Sequence, residues 1–151
     1  MTNAVLPTLQ ELYLSGNWMI RMDSDGVSYG GFRWAGISEW TEAPEWTEAP
    51  ECKGGLFGQG PGVDEQGYCR KGSRLVLCET EGARISVDQE KVKVRRARIV
   101  AVNEAIPAEF LERMSLNMEG YAHPLPAGLT HTGDLNLEGY AHPLPAALAQ
   151  T

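Results

Sequence analysis

Five glutamates recur at every third position in one short stretch: Glu39, Glu42, Glu45, Glu48 and Glu51. They belong to the hexapeptide EWTEAP, which occurs twice in tandem at 39–44 and 45–50. The same repeat sets Trp40, Ala43, Trp46, Ala49 and Cys52 in a second register. A period of three matches polyproline II, with three residues per turn and a rise of ~3.1 Å. A chain in that conformation would line the carboxylates along one edge, about 9 Å apart, and the tryptophans along another. Solvated carboxylates steer a basic partner, and a tryptophan can anchor in a partner's pocket. Glu39, Trp40, Glu42, Glu45, Trp46, Glu48 and Glu51 therefore form the candidate partner-binding surface. The competing reading is a solvated linker lengthened by tandem duplication, with one tryptophan tucked into the core.

Other residues with chemical potential lead less far. Cys52, Cys69 and Cys78 are odd in number and show no C-x-x-C pair, so neither a disulfide framework nor a common zinc pattern fits. Cys78 falls in an apolar run and reads as a small buried residue. His123 and His142, at equivalent places in the C-terminal repeats, are not near a serine or cysteine nucleophile candidate in sequence. Residues 53–73 hold seven glycines but neither phosphate-loop spacing, which favours a surface loop over a phosphate cradle. Lys91, Lys93, Arg95, Arg96 and Arg98 put five cations into eight residues. Strict strand alternation would place Lys93 and Arg95 on one face and Arg96 and Arg98 on the other, which is no single phosphate-binding stripe. These cations could instead answer the acidic 39–51 segment within the chain. No metal, cofactor or catalytic residue is expected.

Composition narrows the function classes. The 151 residues carry a formal charge of −7, which disfavours direct nucleic-acid binding. No apolar run approaches the ~18 residues of a membrane span, and the N-terminus lacks a signal-peptide pattern. A soluble, cytoplasmic protein is expected.

The elements that must position these groups centre on Arg74–Val102. Its apolar runs, separated by Glu81-Gly82 and Asp88-Gln89-Glu90, read as three adjacent, mostly antiparallel strands. Ala97–Val102 is apolar on both faces and suits a strand buried on both sides. Upstream, residues 6–17 fit either a helix, with Pro7 in its first turn and Gly16 at its end, or one leucine-rich repeat. Trp18–Met22 and Val27–Trp34 read as strands, with Gly30-Gly31 marking a bulge or a close approach. A short helix is expected at Pro107–Met114.

The C-terminal third repeats. LNMEGYAHPLPAGL (116–129) returns as LNLEGYAHPLPAAL (135–148), identical at twelve of fourteen positions with an offset of 19. Each copy has the form of a solenoid coil, and two coils need a further surface to lean on. The expected fold is α+β. A small, mainly antiparallel sheet with one or two short helices spans 1–114. A two-coil leucine-rich-like β-solenoid appendage follows at 115–151.

SYGGFRW, EAPEW, PECKGGLFG, RLVLCETEG and KVKVRRARIVAV fall in that order. The series resembles an uncharacterised domain of bacteriophage, prophage and actinobacterial proteins, often fused to short solenoid repeats. Gly55-Leu56-Phe57 departs from the histidine that the family usually carries after Gly-Leu or Gly-Phe. The resemblance implies a phage or mobile-element origin. With the charge of −7, the regular acidic strip, the exposed aromatics and no catalytic constellation, the expected function is to block a host factor by occluding its surface. That factor could be a component of a defence system, in the manner of an anti-CRISPR protein. The expected partner is a host protein or nucleoprotein complex with a basic surface. A self-assembling structural module, with homodimer contacts through the C-terminal repeats, is the second reading. An ADP-ribosyltransferase-like enzyme is the third, against which no His-Tyr-Glu series is evident.

Overall fold

A computed structural model describes residues 8–23, 33–51, 54–61, 74–87, 91–112, 121, 123, 125 and 129, and the backbone of 116–117 and 135–136. The described elements are one α-helix and antiparallel sheets, with one short parallel pair near the C-terminus. No helix among the described residues is long and apolar enough to cross a membrane.

Residues 9–15 are helical, not a leucine-rich coil. In α1 (Leu9–Ser15) the Thr8 hydroxyl accepts from the Glu11 N–H, and the Glu11 carboxylate accepts from the Thr8 N–H, each at 3.0 Å. This capping box makes Thr8 the N-cap and Leu9 the first helical residue. The bonds with Thr8 hold the Glu11 carboxyl below its usual range. Gly16 ends the helix in the left-handed region, at φ 74°.

Four strands, not three, form the stretch from 74 to 102. They are β4 (Arg74–Glu81), β5 (Ile85–Val87), β6 (Lys91–Val94) and β7 (Arg96–Val102). With β1 (Trp18–Asp23), β2 (Trp40–Glu42) and β3 (Leu56–Gly58) they make two sheets, ordered β1-β4-β7-β2 and β3-β6-β5. Chain breaks at Gly82–Arg84 and Arg95 fold one long hairpin across both sheets. The turn expected at 88–90, and most of the expected strand Val27–Trp34, lie outside the described residues.

The sheets join at a seam. Ile20 and Gln59 exchange backbone hydrogen bonds of 2.7 and 2.8 Å, tying the end of β3 to β1. Pairing thus runs β1-β4-β7 in one sheet and β6-β3 in the other; β6 continues along the chain into β7 through Arg95, and the end of β3 bonds back to β1. Gly60 permits the approach, since a Cβ there would stand 2.6 Å from the Trp18 carbonyl oxygen. Arg84 pins the same seam, donating to Thr80 Oγ1 at 2.7 Å, Pro61 O at 2.8 Å and Trp18 O at 3.0 Å.

Strand alternation yields two cores. Met19, Leu56, Val76, Cys78, Val92, Val94, Ala97 and Ile99 fill the inside of the ring, with Trp34. Trp18, Ile20, Met22, Leu75, Leu77 and Ala101 point the other way and are covered by Leu12, Ile106, Phe110 and Leu111. Instead of the expected helix at Pro107–Met114, the described part of that segment has a single 3-10 turn, Ala108–Phe110. Adjacent Phe110 and Leu111 are both fully buried, and one tight turn delivers neighbouring side chains to the same core.

The same outer core takes in Tyr121, Leu125 and Leu129 from the first C-terminal repeat. Two-residue strands β8 (Leu116–Asn117) and β9 (Leu135–Asn136) pair in parallel, Leu116 with Leu135 and Asn117 with Asn136. The pairing offset equals the sequence repeat of 19. The rest of both repeats, including Leu137, His131 and His142, lies outside the described residues.

Candidate functional site

The cations of β6 and β7 form one outward stripe, contrary to strict alternation. Val92 and Val94 face the ring interior, and so do Ala97 and Ile99. The interior set therefore skips from 94 to 97, and Arg95, between the strands, absorbs the extra residue. Lys91, Lys93, Arg96 and Arg98 consequently share the outer face, each against an aromatic ring. Lys91 lies 5.4 Å from the Phe57 centroid and Lys93 5.6 Å from Trp46. Arg96 and Arg98 flank Trp40 at 4.3 and 4.6 Å.

Both EWTEAP copies run along this stripe. The first is a β-strand at Trp40–Glu42, pairing Trp40 with Arg98 and Glu42 with Arg96, so polyproline II does not extend through it. Backbone pairing wins there because β7 offers an open edge, while polyproline II makes no internal hydrogen bonds. Thr41 turns in, its hydroxyl accepting from the Ala35 N–H at 2.9 Å, and the Ala43 N–H donates to Arg95 O at 2.9 Å.

The second copy closes over Lys93, which is completely buried. Lys93 Nζ donates to Ala49 O at 2.5 Å. The Thr47 N–H donates to Gly54 O at 2.9 Å, folding the segment back on itself. Within the cation run of the sequence, nothing local sets Lys93 apart from its neighbours. The useful signal was the shift of apolar positions from 92 and 94 to 97 and 99.

Of the seven candidate residues, the structure turns two toward the protein and five toward solvent. Trp40 and Trp46 are half-buried against their cations, whereas Glu39, Glu42, Glu45, Glu48 and Glu51 are all exposed. Glu42 reaches Arg96 at 3.7 Å, and Arg96 also pairs with Glu81 at 2.8 Å. Glu39 accepts from the Gly36 N–H at 3.1 Å. More deeply, Arg98 donates to Glu79 at 2.6 Å and is only 5% exposed. The intramolecular answer to the acidic segment is thus carried largely by indole rings, with only one ion pair from its glutamates among the described residues.

An open groove of about 360 Å³ lies where the strip passes the kink between β4 and β5. It is lined by Glu42, Trp46 and Glu48 of the strip, by Glu81, Gly82 and Ala83 of the kink, and by Arg95 and Arg96. Elsewhere, Cys78 is sealed in the inner core, where burial pushes its thiol up to about 12. Cys52 and Cys69 lie outside the described residues. His123 Nδ1 stands 3.8 Å from Glu104 Oε1, at the surface. No group of three or more His, Cys, Asp or Glu among the described residues is placed to hold a metal ion. Comparison with protein-family models, curated proteins and solved structures found no match for this chain.

Proposed function

We propose that this chain is a non-catalytic, acidic interaction protein that occludes a basic surface on its partner. The observation that carries the reading is the sorting of the repeat: every strip glutamate is exposed, while both tryptophans are spent on holding the strip down. Such a strip presents a row of negative charge on a braced backbone. Charge of this kind raises association rates and selects cationic partners. The family resemblance supplies the setting, a phage or mobile-element product acting on a host protein or nucleoprotein complex in the cytoplasm. Glu39, Glu42, Glu45, Glu48 and Glu51 are the main contacting residues; Trp40 and Trp46 position them, and Trp46 also lines the open groove beside the strip.

The test compares the full chain with a variant carrying glutamine at all five positions, as bait in host lysate. A stoichiometric partner captured by the first and lost by the second, with association slowed by salt, is the expected result. Capture that ignores both salt and the neutralised strip would sink the proposal.

A self-assembling module is favoured by one separate observation, the in-register parallel pairing of equivalent residues from the two C-terminal repeats. That pairing is what a two-coil leucine-rich-like solenoid would show, and an open coil edge could accept a second copy of the chain. Sedimentation across a concentration series decides it, since a purely monomeric chain removes the second reading.

A further inference from the structure

We propose that the groove beside Trp46 is a receptor for a single arginine or lysine side chain of the partner. The inference rests on the acidic-interaction reading and names the chemistry of one contact within it. Its basis is an internal precedent. Each EWTEAP copy contains the unit Trp-x-Glu, as Trp40–Glu42 and as Trp46–Glu48. In the first copy that unit already holds a guanidinium: Arg96 lies 4.3 Å from the Trp40 centroid and 3.7 Å from the Glu42 carboxylate. In the second copy the Trp46 ring rests by Lys93, but the carboxylate does not follow. Among the described residues no cation pairs with Glu48, and both Trp46 and Glu48 line the open groove.

Charge agrees with the assignment. The groove holds Glu42, Glu48 and Glu81 against Arg95 and Arg96, one negative charge in excess. Arg96 is already engaged by Glu42 and Glu81, so it is the less available repulsive group. Arg95 is exposed and its side chain can swing toward water as a cation enters. An incoming guanidinium would meet an indole wall and an uncompensated carboxylate, the pairing that cation–π and charge-assisted hydrogen bonds favour.

The probe is N-acetyl-arginine amide, titrated into the isotope-labelled full chain while the indole N–H signals are followed by NMR. The neutral citrulline counterpart serves as its control. A saturable shift of the Trp46 indole with the arginine compound, and none with citrulline, is expected. Glu48→Gln should weaken the interaction about fivefold, the upper end for an exposed ion pair. Glu109→Gln, the same charge change outside the groove, should leave it unchanged. Equal shifts from citrulline, no response to the arginine amide, or equal binding by Glu48→Gln and the native chain would each overturn the assignment. Inorganic phosphate shifting the same signal where arginine amide does not would do so too, by giving the groove to an anion at Arg95. If the five-glutamine variant loses its partner while Glu48→Gln binds arginine amide normally, the interaction reading stands and this groove assignment alone falls.

Discussion

Gly55→Ala tests whether the second repeat is seated on Lys93. A Cβ at this position would stand 2.3 Å from Lys93 Cγ, 2.7 Å from Cδ and 3.3 Å from Trp46 Cζ3. The first two atoms belong to the stem of a side chain that is 0% exposed, so it cannot yield by swinging into solvent. Relief requires lifting Trp46 or breaking the Nζ bond to Ala49 O. Overpacking of this kind costs about 1–3 kcal/mol. In a chain of this length each kcal/mol lowers the melting temperature by roughly 2–4 °C. The assay is a double-mutant cycle by denaturant unfolding. Lys93→Ala deletes both clashing atoms, so adding Gly55→Ala to it should cost nearly nothing. Lys93→Met keeps atoms in both places but drops the ammonium, so Gly55→Ala should remain costly there. An equal penalty for Gly55→Ala in the native and Lys93→Ala backgrounds would falsify the seating of this strip.

Three further outcomes follow from the packing. Trp40→Ala removes an indole flanked by two guanidiniums and should destabilise by about 2–4 kcal/mol in denaturant titrations, with Trp40→Phe losing less. Leu129→Ala, at a fully buried position in the outer core, should cost about 2–5 kcal/mol; a change under ~0.5 kcal/mol would mean that the first C-terminal repeat does not brace the sheet. Cys78 supplies a pH signature. Its folded thiol titrates at about 12, above the ordinary value of 9.0, so both states keep the proton at low pH and only the unfolded chain loses it first. Stability should therefore fall by up to about 1.4 kcal/mol per pH unit between those values. Cys78→Val should remove that part of the slope, and identical alkaline profiles for the two proteins would contradict it.

Much of the fold was legible because local chemistry and tertiary packing agree. Thr8, Glu11 and Gly16 specify the ends of α1, and the apolar run at Leu75–Cys78 became a strand buried on both faces. The division of the 74–102 stretch into two sheets was hidden. The kink at Gly82–Arg84 resembles ordinary turn punctuation, the one at Arg95 has no turn residue to mark it, and nothing local says that strands continue beyond them on a second sheet. The cation stripe was misassigned for a related reason: counting alternation through Arg95 assumes no bulge, although the apolar positions 92, 94, 97 and 99 themselves change parity. At 39–51 the triplet period separated outward glutamates from inward tryptophans, but not the conformation. Whether 40–42 is a strand depends on β7, more than fifty residues away in the chain.

The strip also shows how stability and surface charge can be kept separate. Exposed ion pairs such as Glu42–Arg96 contribute about 0–1 kcal/mol each. The indole–cation contacts beneath, partly desolvated, are worth about 0.5–2 kcal/mol each in addition to the apolar area that they bury. Holding the strip in place therefore falls to Trp40, Trp46 and the backbone bonds to β7, Gly54 and Lys93. The carboxylates do little of it. Each tryptophan of the repeat finds a cation beneath it, while all five glutamates stay exposed. Trp40 and Trp46 stand six positions apart in the strip, and Lys93 and Arg98 beneath them stand five positions apart across β6, Arg95 and β7. The duplicated hexapeptide therefore matches the bulged strand closely enough to seat both of its tryptophans on one cation stripe.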